Sequence, residues 1–222
     1  MSWKFSCYLV VCTLVLAAAF AGRASIVWDG PMIGYNQPTP IANQASNQDR
    51  ITPDVWLTRT NSKGLFNAFN ETSAGTFSPS NTLWAFGSIT NHSSLFFTNW
   101  LALLNGASPT TLIGQPMVVY LTSDDIYFSI LITNWPSGGA GGFGYLRSTP
   151  VINYSQATAG NGQFSFNYTT QTNFAYVIQS STDLMNWVSV STNTATSSST
   201  SFSDLLNPGG TQFYQINLLP RQ

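Results

Sequence analysis

Charge is scarce in this chain, at 7% of its residues, yet Asp49, Arg50, Asp54 and Arg59 stand close together with Trp56 among them. Those types point to a polar binding cluster beside an aromatic platform. Asp49, Arg50, Asp54, Trp56 and Arg59 are therefore the candidate binding residues. Asn47, Asp49 and Asp54 would also offer oxygens to calcium, but their spacing matches no calcium loop. The competing reading is an internal salt-bridged network that ties a long loop to a sheet, since pairing is the usual way such groups become buried.

Asp124-Asp125 is the one adjacent carboxylate pair. Neighbours in a strand point to opposite faces, so the two do not readily share a substrate unless a turn folds both inward. A hairpin turn with one Asp capping backbone N–H groups accounts for the pair more simply. A polysaccharide hydrolase would need two of Asp49, Asp54, Asp124 and Asp125 about 5–9.5 Å apart across an open cleft. His92 is the single histidine, beside Ser93 and Ser94. Sequence neighbours do not make a triad, and no Gly-x-Ser-x-Gly elbow is present. One histidine and no cysteine after residue 24 argue against zinc. The glycines of 138–142 lack the strand-then-helix context and the lysine of a phosphate loop, and read as a flexible hairpin tip. No catalytic residue, metal or cofactor is assigned.

The elements that hold these residues read as all-β. Ser, Thr, Asn and Gln replace the missing charge, while β-branched and aromatic residues are abundant, which suits a pleated, half-buried surface. Residues 117–147 form the organising stretch: a strand, the polar turn at Ser123-Asp124-Asp125, a second strand, the glycine loop and a third strand. In the middle strand Ile126, Phe128, Ile130 and Ile132 share one wholly apolar face and point into a core. Short strands are expected at 25–29, 55–59, 65–69 and 82–89, and a helix of at most two turns at 100–104, ended by Asn105-Gly106. Met32–Ser46 reads as an extended loop, 151–163 as a linker, and 193–201 as a solvated hairpin. Strands follow at 164–168, 174–181, 187–191, 200–202 and 212–218. Of Trp28, Trp56, Trp84, Trp100, Trp135 and Trp187, most should be core. One or two left exposed on a sheet face would make a sugar-stacking platform.

Residues 1–24 have the form of a secretory signal: Lys4, then the apolar run Cys7–Phe20, then small residues with the cut placed after Ala24, a cut after Ala21 being nearly as good. The apolar run is shorter than the roughly 20 residues that a membrane span needs. Both cysteines lie in this segment, so the mature chain has no disulfide and no thiol nucleophile. It carries five basic and eight acidic residues, net −3. With no basic patch, nucleic acid is excluded as a partner, and so is electrostatic adhesion to anionic lipid.

Residues 160–220 resemble a family. Phe164-Ser-Phe, Tyr176-Val-Ile-Gln-Ser-Ser-Thr182-Asp183-Leu184-Met-Asn-Trp187, Phe202-Ser-Asp204 and Phe213-Tyr214 follow the pattern of short immunoglobulin-like or fibronectin-type-III-like modules. Such modules close many exported bacterial proteins. Gln215 stands where their last strand commonly carries arginine. The resemblance implies that Trp187 is a core residue and that the module is a spacer or attachment domain. Trp28-Asp-Gly-Pro31, Asn47-Gln-Asp-Arg-Ile-Thr52, Val55-Trp-Leu-Thr-Arg59, Asp125-Ile-Tyr127 and Gly141-Gly-Phe-Gly-Tyr-Leu-Arg-Ser-Thr149 look like a family of exported bacterial proteins of unknown function. That resemblance implies export and an all-β fold.

The expectation is a jelly-roll-type β-sandwich at 25–150, then an Ig-like module at 164–222. The protein would be exported to the extracellular space, cell surface or periplasm. Its expected function is that of a non-enzymatic surface or matrix protein binding an extracellular polysaccharide or a surface protein. The alternative is a secreted hydrolase acting on polysaccharide through an Asp pair.

Overall fold

The computed structural model describes residues 25–62, 64–137, 141–206 and 209–219. The expected signal segment lies outside them. The chain runs through β1 (Ile26–Trp28), β2 (Met32–Gln37), β3 (Asp49–Arg50), β4 (Trp56–Arg59), β5 (Leu65–Asn67) and β6 (Thr82–Phe86). Helix α1 (Trp100–Leu104) follows, then β7 (Pro116–Leu121), β8 (Ile126–Asn134) and β9 (Phe143–Ser148). The rest is strand: β10 (Tyr154–Gly160), β11 (Gln163–Thr169), β12 (Ala175–Ser181), β13 (Val188–Thr194), β14 (Ser199–Leu205) and β15 (Phe213–Leu218). The architecture is an all-β sandwich, with no closed barrel among the described residues.

The β7–β8–β9 meander is the spine of the largest sheet, whose order is β2-β9-β8-β7-β6. Ile126, Phe128, Ile130 and Ile132 are all buried along one face of β8, as their alternation requires. A slip of one residue would turn that whole set outward, so the register is strongly specified. The small sheet β3-β4-β5 contributes Leu57 and Leu65 to the same core as Met117, Val119 and Phe128. Trp84, Trp100, Trp135, Phe143 and Tyr145 form a continuous chain of ring contacts through it. Helix α1 starts at the Asn99 side chain, which accepts from the Ala102 amide, and ends at Asn105 in the left-handed region.

β9 pairs only with the later part of β8; the earlier part takes β1 instead, in parallel, with Ile26 opposite Ile126. Ser148 closes the seam. Its hydroxyl accepts from the Ser129 amide at 2.8 Å and donates to the Trp28 carbonyl at 2.5 Å.

Strands β10–β15 build two further sheets, β10-β11-β14 and β13-β12-β15. Phe166, Tyr168, Tyr176, Ile178 and Ile216 are buried in their core. This core is continuous with the first through Phe174, whose ring meets Trp28 edge-on at 5.7 Å.

Four expectations need correction. Met32–Gln37 is a strand at the sheet edge, not a loop; its exposed Met32 and Ile33 hide the alternation. Residues 154–160 are a strand rather than a linker, because an all-exposed polar edge strand carries no apolar period. Residues 193–201 do not form a hairpin: β13 pairs β12 while β14 pairs β11, so the segment crosses between sheets. Gly141 and Gly142 are buried rather than at a flexible tip. Gly142 has φ +72°, and a Cβ there would lie 2.5 Å from the Gln37 carbonyl oxygen, so the 37–40 segment packs where only glycine fits. Gly138 and Gly139 lie outside the described residues.

Ser148→Ala strips a partner from both a buried amide and a carbonyl. Urea denaturation is expected to show a loss of about 1–3 kcal/mol or more. A change within about 0.5 kcal/mol, the range of ordinary surface substitutions, would contradict the role given to Ser148.

Candidate functional site

The antiparallel pairing of β3 with β4 sets Asp49 opposite Leu57 and Arg50 opposite Trp56. Adjacent strand residues face opposite ways, so the cluster is divided at its first two members. Asp49 turns inward and is buried. Its carboxylate accepts two bonds from Arg147 on β9, from Nε at 2.7 Å and Nη2 at 3.1 Å, and a third from the Tyr145 hydroxyl at 2.6 Å. This forked pairing is the strong form of an arginine–carboxylate contact. Burial works against the Arg147 cation, but Asp49 outweighs it, and the guanidinium holds its proton above its ordinary range. Burial, reinforced by Asp49, pushes the phenols of Tyr35 and Tyr145 well above theirs.

Arg59 is buried too, at the far end of β4. It donates from Nη1 to the Gly142 carbonyl at 3.1 Å, from Nη2 to Asn61 at 3.2 Å and from Nε to Thr60 at 3.3 Å. Its guanidinium lies 4.1 Å from the Trp135 ring centre, and burial lowers its pKa. Asp54 sits half-buried in the turn before β4. Its amide donates to Thr52 Oγ1, and its carbonyl accepts from Asn67 Nδ2 at 2.7 Å. Asp49 and Arg59 are thus built into the frame, Asp49 by bonds to β9 and Arg59 by bonds to the backbone of Thr60, Asn61 and Gly142, rather than to each other.

Arg50 and Trp56 turn outward together. The Arg50 guanidinium lies 4.2 Å from the Trp56 ring centre. Its Nε donates to Gln48 Oε1 at 3.1 Å, and Gln48 is anchored in turn to the Ala42 carbonyl at 2.8 Å. Phe69, 48% exposed, meets Trp56 at 5.4 Å with the rings steeply inclined. Gln48, Arg50 and Trp56 border an open groove of about 350 Å³, whose lining also includes Asn43, Phe66, Glu71 and Thr72. Glu71 is the residue that sequence reasoning missed. Its carboxylate organises the 67–80 loop by accepting from the Asn67 amide at 2.7 Å, the Ser80 amide at 2.9 Å and the Ser78 hydroxyl. A single acid in a polar loop carries no period that would have revealed it.

Three of the carboxylates considered for hydrolysis, those of Asp49, Asp124 and Asp125, accept from different groups. Asp124 accepts from Thr52 Oγ1 at 2.7 Å, while Asp125, in the left-handed region at φ +56°, accepts from the Tyr120 hydroxyl at 3.2 Å. Asp49 is enclosed by Arg147 and Tyr145, and the Trp56 groove has Glu71 as its one acid. His92 Nδ1 contacts the Ile89 carbonyl, and its ring packs on Tyr127. Among the described residues, no group of three or more His, Cys, Asp and Glu side chains is placed to hold a metal. Trp187, expected in the core, is half-exposed, with its indole N–H on the Leu184 carbonyl at 3.2 Å. The other half-exposed tryptophan is Trp56; Trp28, Trp84, Trp100 and Trp135 are buried. Comparison with protein-family models, curated proteins and solved structures found no match.

Removing one partner of a buried pair strands the other charge. Arg147→Met alone is therefore expected to destabilise by about 3–5 kcal/mol. The double variant Asp49→Leu with Arg147→Met should recover a large part of that loss in denaturant titrations; a double variant worse than the single would contradict the pairing. Neutral Tyr35 and Tyr145 stabilise the fold fully below the unfolded phenol value of about 10. Because the native values are raised, that contribution is lost as pH climbs beyond it toward them. Melting temperature should fall on that alkaline side, with phenolate absorbance appearing as the fold is lost. Ordinary titration of all tyrosines with the fold intact would refute the assignment.

Proposed function

We propose that this chain is an exported, non-enzymatic surface or matrix protein that binds an extracellular polysaccharide at the Trp56 groove. The observation that carries the reading is the outward stack of Arg50 on Trp56, with Phe69 against the same indole, beside an open groove, in a chain whose other described arginines, Arg59 and Arg147, are buried. Aromatic residues next to amide and hydroxyl side chains such as Asn43 and Thr72 suit the apolar faces and hydroxyl rims of sugar rings. The hydrolase alternative gains no support: Asp49 is enclosed by Arg147 and Tyr145, and Asp124 and Asp125 accept from different hydroxyls, those of Thr52 and Tyr120.

The β10–β15 part is read as an Ig-like spacer or attachment module. Two features support that: six consecutive strands are dealt between two three-stranded sheets, and a mixed aromatic core lies between them. Its outward polar face, with Thr158, Ser165, Asn167 and Ser201, suits a solvated spacer.

The test is retention of the mature protein on insoluble polysaccharides, with and without calcium. Trp56→Ala is expected to weaken retention at least about tenfold, equivalent to roughly 1.4 kcal/mol, while Trp187→Ala leaves it unchanged. Lack of retention on every polymer, or unaltered retention of a folded Trp56→Ala protein, would sink the proposal.

A further inference from the structure

Resting on the polysaccharide reading of the same groove, the geometry points to a narrower ligand class: an acidic polysaccharide, held through a sugar carboxylate by Arg50.

Arg50 differs from the other described arginines in that its terminal nitrogens reach an open groove, whereas Arg59 and Arg147 are buried. Arg147 forks onto Asp49 through Nε and Nη2, its Nη1 enclosed without a partner, and Arg59 is closed on backbone carbonyls. Arg50 is held at two places, through Nε on Gln48 Oε1 and through its flat face on Trp56. Among the described residues, neither of its Nη atoms has a protein acceptor. The guanidinium is thus fixed in plane and position, with N–H donors left over. A planar guanidinium of this kind matches a carboxylate bidentately, whereas a neutral hydroxyl takes one bond at a time. Gln48 is itself buried and anchored, so the holding group does not have to be ordered when ligand arrives.

Glu71 lines the same groove and would repel an anion. Its two oxygens already accept three hydrogen bonds, two of them from backbone amides. That takes up most of a carboxylate's acceptor capacity and offsets its charge locally. Arg50 is then the donor-only group of the groove lining, with Asn43 and Thr72 able to donate or accept beside it. The mature chain is net negative, at −3. Non-specific attraction of a polyanion is therefore absent, and retention of one has to come through a particular cation. A saccharide fits better than an acidic peptide, because the remaining lining is aromatic, amide and hydroxyl, the chemistry of a sugar ring's faces and rim.

The experiment compares three immobilised polymers: polygalacturonate, the same polymer with its carboxyls reduced to alcohols, and cellulose. Wild-type protein, Arg50→Gln and Arg50→Lys are applied to each, with melting temperatures measured alongside. Wild type is expected to bind polygalacturonate at least about tenfold more tightly than its reduced form. Arg50→Gln should lose that preference at unchanged melting temperature, and Arg50→Lys should keep only part of it, since an ammonium offers no fork. Equal binding of wild type to the charged and reduced polymers, or full binding of polygalacturonate by a folded Arg50→Gln protein, overturns the carboxylate assignment. Trp56-dependent binding to cellulose or the reduced polymer alone overturns it while leaving the polysaccharide reading standing. Retention on none of the three overturns both.

Discussion

The buried pair of Asp49 and Arg147 is the constraint on which the first half of the molecule depends. It joins β3, a strand of two residues, to β9 in the large sheet. Two residues of ladder do little to hold a strand in place. The ion pair, extended by the Tyr145 hydroxyl, supplies the anchorage that the ladder lacks. An unpaired charge in this core would be severely destabilising, so the register of β3 against β4 is set by the need to bring Asp49 onto Arg147. Once Asp49 is turned inward, Arg50 has to turn outward and meet Trp56 across the pair.

The groove is thus a by-product of the frame. Its floor is the outer face of β3-β4-β5, whose inner face carries Leu57 and Leu65 into the core. Its rim is the 67–80 loop, ordered by Glu71. Arg59 repeats the inward solution at the other end of β4, stacking on Trp135 and fastening the Gly142 carbonyl. Each described arginine therefore has a flat or forked contact that orders it. Only for Arg50 does that contact face solvent, which is why binding is assigned there rather than to the whole charged cluster.

Much of this was legible in the chain itself. The alternation of β8 predicts its buried face, Asn105-Gly106 predicts the end of α1, and Ser123-Asp124-Asp125 predicts the hairpin. The division of the 49–59 cluster was not legible, because it depends on Arg147, some hundred positions away, and on a strand too short to show a period. Edge strands also escaped. Met32–Gln37 exposes apolar residues, and Tyr154–Gly160 has none buried, so neither shows the alternation that a half-buried strand displays. Trp187 was misplaced for a related reason: the core between β10-β11-β14 and β13-β12-β15 is filled by Phe166, Tyr168, Tyr176 and Ile216, and its indole is left at the edge.

The most direct test is to follow the indole N–H signals of residues 25–222 by nuclear magnetic resonance during titration with a soluble oligogalacturonate. The account predicts that the Trp56 signal moves in a saturable way, while those of Trp28, Trp84, Trp100 and Trp135, all buried, and of Trp187 stay in place. A saturable shift confined to Trp187, or binding that leaves Trp56 unmoved, would contradict it.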